Sequence, residues 1–169
     1  MFQPSVATHR ERLLAMQICH LKICRPGRAE QLKAFGIRTA NDLLWCDVNV
    51  IAARFDAPFR AKRALSRLQT AIRLAVTIDT MTPRDAMLLV AIHRSSVGSL
   101  ACEHAATLRR DLERFSMSTR GRRLVGRRGI PSLRRLKQWI ATSRQTTLSI
   151  EQSETRNHIS GNLGVTSVA

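Results

Sequence analysis

The residues of this sequence that are best suited to chemistry are arginines, which are most dense in residues 109–144. That stretch contains 12 Lys plus Arg against two acidic residues, Asp111 and Glu113. A guanidinium group presents a planar fork of donors that matches the oxygens of a phosphate. The segment is therefore predicted to bind a polyanion through these cations: Arg120, Arg122, Arg123, Arg127, Arg128, Arg134, Arg135 and Lys137.

The charge of the whole chain points the same way. Its 169 residues include 28 Lys plus Arg and 12 Asp plus Glu, a formal net charge of +16. This imbalance favours nucleic acid as a partner. Two alternatives stay open: a GC-rich genome that replaces Lys by Arg, and a solvated arginine face without a partner. Like charges at this density repel each other unless an anion is present, which argues for a partner.

Aromatic residues are too few for a surface that stacks on successive bases. The chain has two Trp, five Phe and no Tyr, and Trp139 beside Ile140 is expected in the core. We therefore expect contacts to phosphates without reading of bases. If about 5 to 8 phosphates are neutralised, the logarithm of the binding constant should fall against the logarithm of salt concentration with a slope of about −4 to −7.

Residue types for catalysis and metal binding are present, but their spacing is not that of a known site. Cys19, Cys24, Cys46, Cys102 and His104 lack the paired two-residue spacing of a zinc finger or ribbon. The sequence has no P-loop, no dinucleotide fingerprint and no acidic cluster suited to Mg²⁺. We predict no catalytic residue, no metal, no cofactor and no enzyme activity.

The sequence also indicates where the protein acts. Its longest apolar run, residues 86–92, is far shorter than a bilayer span. A basic amphipathic helix can lie on an anionic membrane, but here the apolar side of such a helix is needed for the core. Four cysteines do not amount to a disulfide scaffold. We predict no membrane partner, reduced thiols, and a place in the cytoplasm or on the nucleoid.

The elements that position these residues are predicted to be helices. Apolar residues recur at spacings of three and four along most of the chain, and no stretch alternates as a strand would. We predict an all-α, compact bundle of short helices in two modules, residues 9–80 and 82–145. Thr82 and Asp85 are spaced as a capping box that opens the second module. Residues 146–169, rich in Ser and Thr, are predicted to be a disordered tail.

One long helix is predicted over about residues 58–78, with Asp56 as its cap. Its cations at helical spacing, Arg60, Arg63 and Arg67, join the predicted phosphate ligands. Its buried face is predicted to consist of Leu65, Leu68, Ile72 and Ala75.

A short turn unit occurs three times, at residues 36–40, 96–100 and 129–133. In each, a helix is expected to end at a left-handed residue (Gly36, Ser96 or Gly129), with a cap for the next helix three positions later. A capped helix start presents backbone N–H groups to a phosphate. The alternative is that the turns only reverse the chain between packed helices. The predicted caps are Thr39, Ser99 and Ser132.

Residues 23–44, ICRPGRAEQLKAFGIRTANDLL, resemble a known family. They are similar to the helix-hairpin-helix module, in particular to bacterial helix-hairpin-helix-like domains of unknown function. Members of that superfamily commonly bind DNA without sequence preference, through hairpin amides and flanking basic side chains. The resemblance implies DNA rather than RNA as the partner. It also implies contacts from the amides of residues 25–28 and from the side chains of Arg25, Arg28 and Lys33.

The sequence departs from that family at the hairpin. Where the family usually has Gly-apolar-Gly, this chain has Ile23, Cys24 and Arg25. Without the glycines a close approach of the backbone to a phosphate is sterically unfavourable, and two interpretations stay open: the hairpin is only structural, or binding depends on side chains instead of the backbone. The competing hypothesis is a helical adaptor whose hairpins meet another protein and whose positive charge faces an acidic partner. The oligomeric state is not predicted.

Overall fold

Eleven α-helices account for most of the part of the chain that the structure describes. The structure is a computed structural model, which describes the backbone of residues 7–161 and the side chains of residues 7–150 and 152. No β-strand occurs among these residues, so the predicted all-α class is confirmed. In chain order the helices are α1 (His9–Ala15), α2 (Ile18–Leu21), α3 (Pro26–Ala34), α4 (Ala40–Trp45), α5 (Val48–Ala52), α6 (Pro58–Thr77), α7 (Pro83–Ala91), α8 (Val97–Ala101), α9 (Ala105–Met117), α10 (Thr119–Val125) and α11 (Leu133–Gly161).

Helix α6 lies at the centre of the packing. Helices α1, α4, α5 and α7 pack against it, and α11 packs against α8 and α9. Buried residues from both predicted modules belong to one hydrophobic cluster, and the boundary between the modules stays a prediction. The predicted buried face of α6 is confirmed at Leu65, Leu68, Ile72 and Ala75, each at most 3% exposed.

The starts of α7 and α6 differ in how they are capped. The Thr82 side-chain oxygen accepts the N–H of Asp85 at 3.2 Å, and the Asp85 carboxylate accepts the Thr82 backbone N–H at 3.4 Å. The predicted capping box is therefore confirmed. The prediction that Asp56 caps α6 is wrong, because the cap position is Ala57, which makes no side-chain capping bond. Pro58 at the first helical position has no N–H to satisfy, so this start depends less on a polar cap.

The turn at residues 36–40 has the predicted geometry. Gly36 has a φ of +88°, and the N–H of Ile37 donates to the Leu32 carbonyl oxygen at 2.9 Å. These two features close a Schellman helix end. Thr39 and Asp42 then form a reciprocal capping box at the start of α4. The first copy of the turn unit is therefore confirmed.

The second copy has a different register from the predicted one. Helix α7 ends at Ala91, and the left-handed residue after it is His93, with a φ of +64°. Ser96 has an extended backbone and is itself the cap of α8, while the predicted cap, Ser99, bonds back to Ser96 from three positions later. The prediction was wrong because Ser is a favoured N-cap residue and is disfavoured in the left-handed conformation that ends a helix.

The third copy keeps the predicted cap but not the predicted helix end. The Ser132 side-chain oxygen accepts the N–H of Arg135 at 3.4 Å, just before α11. Gly129 has a φ of +72°, but a 3₁₀ turn, Gly126–Arg128, precedes it in place of an α-helix end.

Helix α11 continues beyond residue 145, where the sequence predicts a disordered tail. Hydroxyl groups there donate to carbonyl oxygens four residues earlier, from Thr146 to Thr142 at 3.0 Å and from Ser149 to Gln145 at 2.9 Å. Such bonds let Ser and Thr stay within a helix, which composition alone does not indicate. The helix extends through residue 161, and the remaining part of the predicted tail, residues 162–169, lies outside the described residues.

Candidate nucleic-acid interface

A groove of about 820 Å³ lies between α3, α6 and α10. Cations from all three helices or their caps line it, although they lie far apart in the sequence. Among the described side chains, no Asp or Glu contributes to its lining. We call it the arginine groove, and its cations are Arg25, Arg28, Arg67, Arg120 and Arg123.

The start of α3 positions the first two of these arginines. Arg25 is the cap residue, and its carbonyl oxygen accepts the N–H of Arg28 at 3.0 Å. Pro26 follows at the first helical position, where its fixed φ is favourable. The Arg28 guanidinium lies 5.3 Å from the centroid of the Phe55 ring. This cation–π contact orients the Arg28 charge without neutralising it.

A tight junction between α9 and α10 positions two more arginines. Ser118 ends α9 and caps α10, where its side-chain oxygen accepts the N–H of Gly121 at 2.9 Å. Gly121 packs so closely on the preceding helix that a Cβ atom would overlap the Phe115 carbonyl oxygen. Arg120 and Arg123, on either side of Gly121, are three positions apart and face the groove together.

Arg84, which the sequence did not single out, holds the other end of α10. Its guanidinium donates to the carbonyl oxygen of Leu124, at 3.0 Å from Nη2, and to that of Val125. The last carbonyl groups of a helix have no partner within it, and a cation there is favourable. Because Arg84 and Leu124 are 40 residues apart in the sequence, no local signal identifies this contact.

Repulsion between like charges in the groove is not compensated within the described side chains. Those side chains form four ion pairs, and none of the four includes a groove arginine. Burial, and then the like charges of Arg120 and Arg63, lower the pKa of the Arg67 guanidinium. A bound anion would relieve this repulsion, so the groove favours negatively charged ligands.

The floor of the arginine groove is apolar. It is formed by Ile23, Leu68, Met87 and Leu124, the first three of which are at most 8% exposed. Beside them, burial raises the pKa of the Cys24 thiol, which favours its neutral form. The groove thus combines a charged rim with an uncharged floor.

Nine of the predicted phosphate ligands do not line the groove. Lys33 faces a different cavity, which it shares with Arg38 and Glu30. Arg63 is near enough to Arg67 to affect its pKa, and Arg60 lies one turn further along the same side of α6. Eight of the nine are exposed cations outside the groove lining: Lys33, Arg60, Arg63, Arg122, Arg127, Arg128, Arg134 and Lys137.

The ninth, Arg135, has contacts within the fold. Its Nη2 donates to Asp85 Oδ2 at 2.8 Å and to the Thr80 carbonyl oxygen at 3.3 Å. Its guanidinium also lies 5.0 Å from the centroid of the Trp139 ring, and Trp139 is fully buried, as predicted. Arg135 therefore ties α11 to the start of α7.

The groove offers a binding surface rather than a set of metal ligands. Within the described residues, no group of three or more His, Cys, Asp and Glu is placed to hold a metal ion, and the four cysteines are free thiols. Between residues 7 and 161, no helix combines the length and the hydropathy that a bilayer span requires.

The fold and the groove define a class of protein: an all-α domain whose short helices surround a groove lined with arginines. Residues 23–146 match the family described as a domain of unknown function (DUF4332), and the chain belongs to that family. The matched region includes every residue that lines the groove. No curated protein and no solved structure matches the chain.

Proposed function

We propose that this protein binds nucleic acid, DNA in preference to RNA, without sequence preference and through its phosphates. The observation that carries the proposal is the convergence of five arginines, from three helices or their caps, on one groove to which no described carboxylate contributes. Guanidinium groups suit phosphate oxygens, and an unpaired cluster of them attracts a polyanion. The protein is proposed to act as a binding protein, not an enzyme, in the cytoplasm or on the nucleoid.

Release of counterions gives the proposal a measurable consequence. If each of the five groove arginines neutralises one phosphate, the logarithm of the binding constant should fall against the logarithm of salt concentration with a slope of about −4.5 on duplex DNA and about −3.5 on a single strand. The exposed cations Arg60 and Arg63 extend the groove along α6 and would steepen the slope if they also contact phosphates.

The hairpin between α2 and α3 supports a relation to the helix-hairpin-helix superfamily. Helix α2 ends at Lys22, which has a left-handed φ of +55°, and α3 begins at Pro26 without a side-chain cap. The first N–H groups of α3 therefore have no side-chain acceptor, and Gly27 there lines the groove. We propose that this hairpin is a variant of that module. In it, arginine side chains make the phosphate contacts that the backbone makes in hairpins with the two glycines.

Inserting a charge at Gly27 tests the proposal. A Cβ atom at Gly27 would meet nothing within 4 Å, and an acidic residue in the first turn of a helix is favourable. Gly27→Glu should therefore fold and place a carboxylate among the groove arginines, while Gly27→Gln is its uncharged match. On random-sequence duplex DNA, a gel-shift titration at two salt concentrations should show Gly27→Glu roughly tenfold weaker than Gly27→Gln. Equal affinities of the two variants would contradict the proposal.

A second candidate function is the helical adaptor. Trp45 is 74% exposed and Phe59 is 86% exposed, and large exposed aromatic side chains are typical of protein interfaces. In that case the groove arginines would contact an acidic protein. Polyglutamate of matched charge would then displace DNA from the protein efficiently, and Trp45→Ala would weaken partner binding without changing DNA binding.

A further inference from the structure

We infer that the arginine groove accepts an unpaired stretch of nucleic acid, with phosphates on its rim and a base on its apolar floor. This inference rests on the proposed function and deepens it, because phosphate contacts alone do not distinguish a duplex from a single strand. It depends on three features of the groove: its floor, its walls and its volume.

The floor requires a ligand with an apolar surface. Ile23, Leu68, Met87 and Leu124 form a patch between the arginines, and covering such a patch with charged phosphate oxygens is unfavourable. A duplex presents its phosphates outward and keeps the faces of its bases stacked inside. An unpaired strand exposes the flat face of each base close to a phosphate, so it can cover the floor and reach the rim together.

The walls of the groove carry cations from more than one element. Arg25 and Arg28 belong to the α3 wall, Arg120 and Arg123 to the α10 wall, and Arg67 to α6. A flexible single strand can follow such a channel and contact both walls. A rigid duplex would meet only the outer edges of the walls, which leaves the floor uncovered.

The volume fits a nucleotide. The groove encloses about 820 Å³, within the range of roughly 300–1,000 Å³ that is typical of pockets for small molecules. None of the described residues that line it is aromatic, so a base would pack against aliphatic side chains and the planes of guanidinium groups. Because these contacts are made to any base face, the preference among bases should be small.

Strands with and without bases test the inference directly. We would measure fluorescence anisotropy of the full chain with labelled oligo(dT), oligo(rU) and an abasic DNA strand, all of the same length and number of phosphates. The base-bearing DNA should bind about tenfold more tightly than the abasic strand, with the same salt slope because the phosphates are equal in number. The oligo(rU) arm shows whether the unpaired strand is accepted as RNA as well as DNA.

A variant that fills the floor gives an independent measurement. Ala64 lines the groove and is half-buried, so Ala64→Leu should occupy the floor and leave all five arginines in place. It should reduce the preference for base-bearing strands to less than about twofold and preserve the affinity for the abasic strand. Ala106→Leu, at an exposed position of α9 outside the groove, is the matched control and should keep the preference.

The outcomes separate the inference from the proposed function. Equal affinity of the wild-type protein for base-bearing and abasic strands, with the expected salt slope, would overturn the inference and leave the proposed function standing. The inference would also be overturned if the protein bound duplex more tightly than single strand. The same holds if polyglutamate displaced the labelled strand as efficiently as oligo(dT) does. Absence of binding to every strand and to duplex would overturn both. The wild-type comparison needs no variant, so it decides the question even if Ala64→Leu fails to fold.

Discussion

Two groups of arginines in this protein differ in their partners. Those of the groove have no carboxylate partner among the described side chains. A second group, on α7, α11 and the segment after α7, bonds to carboxylates or backbone carbonyl oxygens within the fold. The groove group is Arg25, Arg28, Arg67, Arg120 and Arg123, and the second group is Arg84, Arg94, Arg135 and Arg144.

This difference predicts that net charge alone will not determine how strongly the protein binds a polyanion. Arg94 bonds to Glu103 and, at 3.2 Å, to Asp111, so its charge is neutralised inside the protein. Arg120 and Arg123 contribute the same formal charge to the sequence, but no described carboxylate offsets theirs. Variants of the second group should therefore change the free energy of unfolding, and variants of the groove group should change binding.

The largest expected effect is at Gly121, on which the position of the groove arginines of α10 depends. In Gly121→Ala the new Cβ would overlap the backbone of Phe115, so we expect a loss of about 3 kcal/mol in the free energy of unfolding, and weaker nucleic-acid binding. Gly27→Ala is the matched control, since a Cβ there meets nothing, and it should be neutral or slightly stabilising. Urea unfolding of both variants measures the difference, and equal stabilities would contradict the packing described for α10.

The next effect is at Arg94 in the second group. Arg94→Gln leaves the carboxylates of Glu103 and Asp111 without their cation. The loss should be about 2 kcal/mol, less than the roughly 3–5 kcal/mol of a fully buried pair, because these side chains keep some contact with water. DNA affinity should be nearly unchanged. If Arg94→Gln kept the wild-type stability and lost DNA binding, Arg94 would not belong to the second group.

A smaller effect is expected at two carboxylates that complete capping boxes, Asp42 and Asp85; among the described side chains, only Asp85 forms an ion pair with an arginine side chain. Asp42→Asn replaces a charged acceptor near a helix start by a neutral one and should cost about 1 kcal/mol, whereas Asp85→Asn also removes the ion pair with Arg135 and should cost roughly 0.5–1 kcal/mol more. Urea unfolding at pH 7 measures both, and equal losses would show that the Arg135 pair adds nothing.

The same Asp42 variant has an expected pH dependence. The hydrogen bond from the Thr39 backbone N–H lowers the pKa of Asp42 from its ordinary 3.8. The folded-state pKa therefore lies below the unfolded-state pKa, so the stabilisation is complete above about pH 4 and is lost as the pH falls through the folded-state pKa. Asp42→Asn should lose stability relative to wild type at pH 7 and much less at pH 2, as urea unfolding at the two pH values would show.

The smallest effect on stability is expected at Arg67. Arg67→Gln removes a cation that forms no ion pair among the described side chains and whose pKa is lowered by burial and by the like charges of Arg120 and Arg63, so the free energy of unfolding should change by less than about 0.5 kcal/mol. Binding should nevertheless weaken, and the salt slope should become shallower by about one unit. If Arg67→Gln were destabilised and kept the wild-type salt slope, Arg67 would belong to the second group and not to the groove group.

Local signals in the sequence were sufficient for several elements of the fold. The boxes at Thr39 and Thr82 and the left-handed Gly36 depend on residues no more than five positions apart, so spacing alone predicts them. The same reasoning gave the wrong register at Ser96. Ser96 and Ser99 are both suited to cap the next helix, and Ser96 is the one that does. Composition also did not indicate that helix α11 continues past residue 145, because the bond from the Thr146 hydroxyl to the Thr142 carbonyl oxygen depends on the helix itself.

The groove could be predicted only in part. The sequence identified arginines as the candidate ligands, but not which of them converge, because Arg28, Arg67 and Arg123 meet through the packing of three helices. The contact of Arg135, another predicted ligand, with Asp85 could not be predicted either, because the two residues are 50 positions apart. The apolar floor is likewise a tertiary feature, formed by residues whose helical spacing indicates only that they are buried.

The most direct test of the central claim compares two pairs of arginines with equal charge. Arg120→Gln/Arg123→Gln removes two groove cations, and Arg110→Gln/Arg114→Gln removes two exposed cations of α9 that are outside the groove lining. The measurement is the slope of the logarithm of the nucleic-acid binding constant against the logarithm of salt concentration. We expect the groove pair to make the slope shallower by about two units and the α9 pair to change it by less than about half a unit. Equal changes for the two pairs would show that net charge, and not the arginine groove, controls binding.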